Sequence, residues 1–177
     1  MSLVKAFNGE MVDFGECMGC TIANSYKNKS PFSGQVVRTQ NFNIAQDSEL
    51  PINGFIVIGS NRHINSINEM TEEEKAELIT LIDIVIAALK KLNVCQQYDV
   101  VWEEKDGSHF HVWLMPRHKY LLEAMGKNII KKVGELFAYA KTNLMTEENL
   151  KEVYTTIENL KTELETNKTI QSKMVKG

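Results

Sequence analysis

The chain lacks any apolar run long enough to cross a bilayer. Its longest, within residues 78 to 89, is interrupted by Thr80 and Asp83, whereas a spanning helix needs ~20 apolar residues in succession. The opening stretch MSLVKAFNGEMVDFGEC carries no signal-peptide h-region, so a cytoplasmic protein with no membrane partner is expected. It also lacks an excess of either charge. Twenty Lys and Arg stand against 23 Asp and Glu, a formal net charge of -3, which gives no electrostatic case for a nucleic acid polymer or an anionic membrane as main partner. A local basic patch could still hold a phosphate-bearing small molecule. Cysteine is scarce and odd in number: three cannot all pair, so a disulfide framework is not expected. Repeats and low-complexity tracts are missing too.

What is present is an ordinary globular composition, 43% hydrophobic and 24% charged over 177 residues, enough for one core. NSYKNKSPFSG (24 to 34) reads as a loop with Pro31 and Gly34 as breakers. VVRTQNFNIAQD reads as a strand pair or one irregular strand, and GFIVIG (54 to 59) as a buried strand. TEEEKAELITLIDIVIAALKKL opens with Thr71 and Glu74 in capping-box spacing and repeats Leu78, Ile82, Val85, Leu89 and Leu92 at helical intervals. Gln97 to Glu104 and His109 to Met115 read as two further strands joined through Lys105-Asp106-Gly107. Strands, a long helix, then strands predict an α+β domain with the helix on one face of an antiparallel sheet. Residues 122 to 143 and 146 to 165 are expected to be helices, the second amphipathic through Leu150, Val153, Ile157, Leu160 and Leu164, and the last dozen residues to fray. The division is 1–120 for the α+β domain and 121–177 for a helical extension.

Three of the four histidines fall within DGSHFHVWLMPRH, residues 106 to 118. On a strand, residues two apart point the same way, so His109, His111 and Trp113 share one face and Phe110, Val112 and Leu114 the other. A pair of imidazoles on one face favours function over a satisfied core histidine. Cys17-Met18-Gly19-Cys20 supplies two thiols at zinc-knuckle spacing, and a tetrahedral zinc needs two more donors. His63 directly follows the strand GFIVIGSNR and His109 lies on the chemical face, while His118 stands past Pro116. The preferred metal site is Cys17, Cys20, His63 and His109; the bland reading is a reduced thiol pair with two surface histidines. His111 then keeps a free imidazole, suited to a nucleophile if a hydrogen bond holds its other nitrogen protonated.

These residues together resemble the histidine triad superfamily of nucleotide hydrolases and transferases: the N-terminal C-x-x-C, the strand FIVIGSNRH before a capped helix, and HFHVWLMPR in place of His-x-His-x-His. The resemblance covers residues 14 to 118. It implies an antiparallel meander with one long helix, a homodimer, and His111 as the nucleophile that takes up a nucleoside monophosphate. It further implies zinc on Cys17, Cys20, His63 and His109, as in relatives such as galactose-1-phosphate uridylyltransferases. Asp47, sixteen positions before His63, is expected to bind ribose hydroxyls, Ser108 and Arg117 are candidate phosphate contacts, and Trp113 completes the expected nucleotide-binding set. The substrate class implied is a nucleotide-type small molecule such as a dinucleoside polyphosphate or nucleoside phosphoramidate. Two departures stand out. Trp113 replaces the third histidine, and the glycine-containing loop before the strand reads as the acidic WEEKDGS, which would repel phosphate if it faced it. The Trp113 replacement and the leucine-spaced C-terminal extension motivate an alternative, a catalytically weak nucleotide-binding or protein-interaction module. A C-x-x-C redox protein is disfavoured because no thioredoxin-like βαβ pattern is seen.

Overall fold

The chain begins with a small β-hairpin, β1 (Leu3–Lys5) paired antiparallel with β2 (Met11–Asp13), in a computed structural model that describes residues 3–25, 34–104 and 108–174. Asn8-Gly9 makes the turn, with Gly9 at φ 88°, a conformation that costs glycine nothing. This hairpin was not anticipated from the sequence. Helix α1 (Met18–Ser25) follows, and most of the anticipated loop at 24 to 34 lies outside the described residues.

The main sheet has five antiparallel strands in the order β3-β4-β5-β7-β6. β3 (Gln35–Arg38) and β4 (Phe42–Gln46) form the pair anticipated at VVRTQNFNIAQD, with an irregular register between Gln35 and Val37. β5 (Ile56–Ser60) is followed by the long helix α2 (Glu72–Lys91). That helix delivers β6 (Tyr98–Val101) to the outer edge, and β7 (His111–Pro116) returns between β5 and β6. The turn anticipated at residues 105 to 107 lies outside the described residues. The capping box of α2 is present: Thr71 accepts from the Glu74 amide and Glu74 reaches back to the Thr71 amide. No described helix is long and apolar enough to cross a membrane.

Two corrections concern the C-terminal third. The single helix expected over 122 to 143 is two: α3 (Lys119–Met125) and α4 (Val133–Asn143), separated by a 3-10 turn at Ile129–Lys132. Gly126, at φ 79°, caps α3 and ends it. Of the end expected to fray, the residues described, up to Met174, are ordered. Helix α5 (Glu147–Thr166) leads to α6 (Lys168–Lys173), where Ile170 is fully buried and Met174 bridges to Thr39 beside β3.

One face of the sheet is closed by α2 and α5. Leu78, Leu81, Val85 and Leu89 of α2 and Val153, Ile157, Leu160 and Leu164 of α5 pack in one core with Ile44, Ile58, Phe110, Val112 and Leu114. Burying each such side chain stabilises by roughly 1.5–3 kcal/mol. The extension therefore shares the core of the sheet it covers. A second apolar cluster joins Leu50, Phe55 and Met115 to Leu121, Ile129 and Leu136 of the α3–α4 region. The opposite sheet face carries the site.

Candidate active site and metal centre

Four donors converge where α1 meets the end of the sheet. One ligand atom from each of Cys17, Cys20, His63 and His109 lies within 4.8 Å of every other. Cys17 and Cys20 bracket the first turn of α1, a three-residue separation that puts both thiols on one side. His63 Nδ1 lies 3.4 Å from Cys17 Sγ and 3.3 Å from Cys20 Sγ, and His109 Nδ1 lies 3.5 Å from each. A tetrahedral zinc with bonds of about 2.3 Å to sulfur and 2.05 Å to nitrogen separates S and N ligands by about 3.5 Å. The four sulfur–nitrogen separations match that geometry.

The surroundings fix each donor. His109 is buried, and its Nε2 lies 2.7 Å from the Ser60 carbonyl oxygen, so Nε2–H donates and Nδ1 keeps its lone pair toward the thiols. Burial lowers the pKa of this imidazole and favours its neutral form. Burial, then the Cys17 thiol beside it, pushes the Cys20 thiol up to about 11, so a metal binding here displaces its proton. The turn carrying His63 is held by Arg62, whose Nε and Nη2 both lie 2.7 Å from the Glu74 carboxylate at the start of α2. Gly19 was passed over in the sequence. Any Cβ there would overlap the imidazole of His109, so the residue between the cysteines must be glycine for the ring to reach them.

Next to this centre lies a cavity of about 370 Å³ floored by β4, β5 and β7, within the size range of small-molecule sites. Across the sheet, Asn43 pairs with Gly59 and Gly59 with His111; one step along, Ala45 pairs with Val57 and Val57 with Trp113. All six line the cavity, as does Asp47. His111 Nδ1 lies 2.8 Å from the His109 carbonyl oxygen. With that proton donated, Nε2 is the basic nitrogen of a neutral ring. The alternation predicted for this strand is observed: Phe110, Val112 and Leu114 are fully buried in the core, while His111 and Trp113 are half-buried on the cavity side.

Asp47 sits at the far end of β4. Its Oδ1 accepts from the Glu49 and Leu50 amides, both at 2.9 Å. Burial outweighs these bonds and pushes its carboxyl up to about 6. Trp113 is flanked by aromatic rings: His111 at 5.6 Å, Phe55 edge-on at 5.9 Å and Phe137 of α4 at 6.0 Å. Phe137 also lines the cavity. It lies outside every motif, and no local signal marks it.

The remaining two candidates are not brought to the cavity. Arg117, expected near phosphate, is bound to Asp99 at 2.8 Å and to the Lys127 carbonyl oxygen at 2.9 Å and is not among the lining residues. Its guanidinium is anchored on the β6 side because the strand ends at Pro116 and turns into α3. Ser108 is half-buried and likewise does not line the cavity. His118, beyond the strand end as expected, donates to or accepts from nothing in the cavity; its Nε2 bonds the Asn53 carbonyl oxygen at 2.7 Å.

No family model matches the chain, and no curated protein matches it. Solved structures do. A Zn-bound histidine triad family protein from Mycobacterium smegmatis superposes with a TM-score of 0.53 at 13% identity, over 84% of this chain and 99% of that one. A histidine triad nucleotide-binding protein from Sulfolobus tokodaii gives 0.49 at 19% identity over 80% and 94%. The diadenosine triphosphate hydrolase of Plasmodium falciparum gives 0.45 at 16% identity over 59% and 78%. The likeness to the Mycobacterium smegmatis protein shows that the five-stranded antiparallel sheet with its long capped helix has the histidine triad fold.

Proposed function

We propose that the chain is a zinc-containing member of the histidine triad family that transfers a nucleoside monophosphate from an α-phosphate to His111 and then to water or a second acceptor. The observation that carries this reading is the 2.8 Å contact between His111 Nδ1 and the His109 carbonyl oxygen. It holds the proton on Nδ1 and leaves Nε2 as the nucleophile in a cavity of nucleotide size. Nε2 attacks the α-phosphorus, the bond to the leaving group breaks, and the phosphoramidate is opened by water in a second displacement. In this reading Asp47, which lines the cavity, accepts from ribose hydroxyls. Substrates of this kind include dinucleoside polyphosphates and nucleoside phosphoramidates.

Cys17, Cys20, His63 and His109 would hold the zinc. Bound there, the ion supplies a cross-link and charge compensation for two thiolates. Through His109, whose backbone carbonyl orients His111, that cross-link positions the nucleophile. The same reading makes the protein a cytoplasmic homodimer.

The test is intact-mass spectrometry after brief mixing with a panel of dinucleoside polyphosphates, nucleoside phosphoramidates and nucleotide sugars, quenched at alkaline pH. A nucleotidyl adduct in the wild type that is missing in His111→Ala is the expected result. An adduct that persists in His111→Ala removes the mechanism. The replacement of the third histidine by Trp113, an indole that only donates, favours a second reading as a nucleotide-binding module; reversible binding with no adduct and no turnover would put that reading first.

A further inference from the structure

The cavity is asymmetric in a way that bears on its substrate. Its β4 side offers Ala45 and Asp47, with Met18 and Ile22 of α1. Its β7 side offers His111, Trp113 and Phe137. Among the described lining residues there is no lysine or arginine, while Glu16, Asp47 and Glu49 contribute three carboxyl groups. Lys141 stands close by, paired with Glu49 at 2.7 Å, and Arg117 is spent on Asp99 and a carbonyl.

We propose that Trp113 and Phe137 form the subsite for the group that departs from phosphorus, and that this group is flat, aromatic and singly charged: an aryl oxide or an aryl carboxylate. The proposal rests on nucleotidyl transfer to His111. If Asp47 and the α1 side take the nucleoside, the cavity left beside His111 is the aromatic wall, with rings of Trp113 and Phe137 6.0 Å apart. Aromatic rings accept flat apolar surface in offset or edge-on packing. A polyphosphate brings two or more negative charges to a cavity whose described lining residues include no lysine or arginine.

The protonation chemistry sets a separate condition, on the basicity of the leaving group. An indole N–H donates a hydrogen bond but cannot protonate a departing atom. The leaving oxygen must then carry its electron pair away as an already stable anion. As His111 Nε2 bonds to the α-phosphorus, the P–O bond breaks with its pair on the aryl oxide or carboxylate. Water then bonds to phosphorus, the P–N pair returns to Nε2, and a proton passes to solvent.

The test uses the 4-nitrophenyl esters of the four common 5′-nucleotides. Equilibrium binding of each ester and its parent nucleotide is measured on the zinc-loaded His111→Ala protein, which cannot turn over, with and without Phe137→Ala or the volume-keeping Phe137→Leu. For at least one base the ester is expected to bind tighter than the parent, and both second substitutions to cut the ester-to-parent affinity ratio about tenfold. Far-UV circular dichroism checks that each variant is folded. A ratio unchanged in both variants overturns the proposal, as does failure of every ester to bind. Loss of parent and ester affinity in equal proportion means that the wall stacks the base, and overturns it too. In the His111-containing protein, the ester is expected to give the nucleotidyl adduct at least tenfold faster than diadenosine triphosphate. Selective ester binding without any adduct removes the transfer chemistry and supports the subsite; an adduct with no ester preference removes the subsite alone.

Discussion

Gly19 packs against the imidazole of His109 so closely that a methyl group on its Cα would overlap the ring. The consequence is a glycine requirement set by close approach across two elements, since Gly19 belongs to α1 and His109 to the segment entering β7. Gly19→Ala is expected to push the ring off the thiols and weaken zinc binding by about 10–100-fold, the usual penalty for disturbing ligand support. Competition against a chromophoric chelator measures it. Equal affinity in the two proteins would mean that the helix yields instead.

Removing the metal is expected to expose the thiols. With zinc bound, Cys17 and Cys20 resist alkylation; after chelation both react, while Cys95, buried and bonded to the Gln97 carbonyl oxygen, reacts slowly in either state. Mass spectrometry of timed iodoacetamide reactions reads all three. Identical rates for Cys17 and Cys20 before and after chelation would count against a metal centre.

The raised pKa of Asp47 predicts a pH-dependent stability. Its folded pKa of about 6 lies above the unfolded value of about 3.9, so the folded state binds the proton more tightly. The carboxyl therefore costs no stability below about pH 4 and a growing amount as pH rises toward 6, levelling off above it. Asp47→Asn keeps the acceptor for the Glu49 and Leu50 amides and abolishes the titration. The variant is expected to gain up to about 2 kcal/mol on the wild type between pH 4 and 7, read by urea unfolding across that range. A constant difference would contradict it.

Helices α5 and α6 are expected to be indispensable for folding. A chain ending before Glu147 loses Val153, Ile157, Leu160 and Leu164 from the main core, and is predicted to show no cooperative thermal transition. Leu160→Ala, fully buried, should cost about 2–5 kcal/mol while leaving the fold intact. A cooperative transition in the truncated chain would show that the sheet closes without them.

The sequence carried those features that depend on local chemistry. Thr71 and Glu74 announced the start of α2 because a capping box is a local hydrogen-bond pattern. The period of two in Phe110, Val112 and Leu114 announced which face of β7 is buried. Cys17, Cys20, His63 and His109 were legible because few residue types bind soft metals and the chain has few of them. What was not legible depends on distance. Phe137 reaches Trp113 across 24 residues through packing of α4, and nothing in VGELFAYAKTN marks one aromatic as different from another. The break after α3 lies inside the span expected as one helix, where the positive φ of Gly126 ends it. The order of the C-terminus was missed because LETNKTIQSKM is polar by composition and is held by Ile170 and by Gln40 N–H donating to the Lys173 carbonyl oxygen.

The two open sides of the main sheet are unequal. At β3 the register slips between Gln35 and Val37, and just beyond it the chain's own tail occupies Thr39 and Gln40. An extra strand seeking backbone partners meets a distorted and partly occupied border there. At β6 no described strand pairs with the outer border, and Val100 and, just past it, Trp102 are exposed. A chain with one such border can pair through it once, and a single-use border cannot seed a repeating fibre.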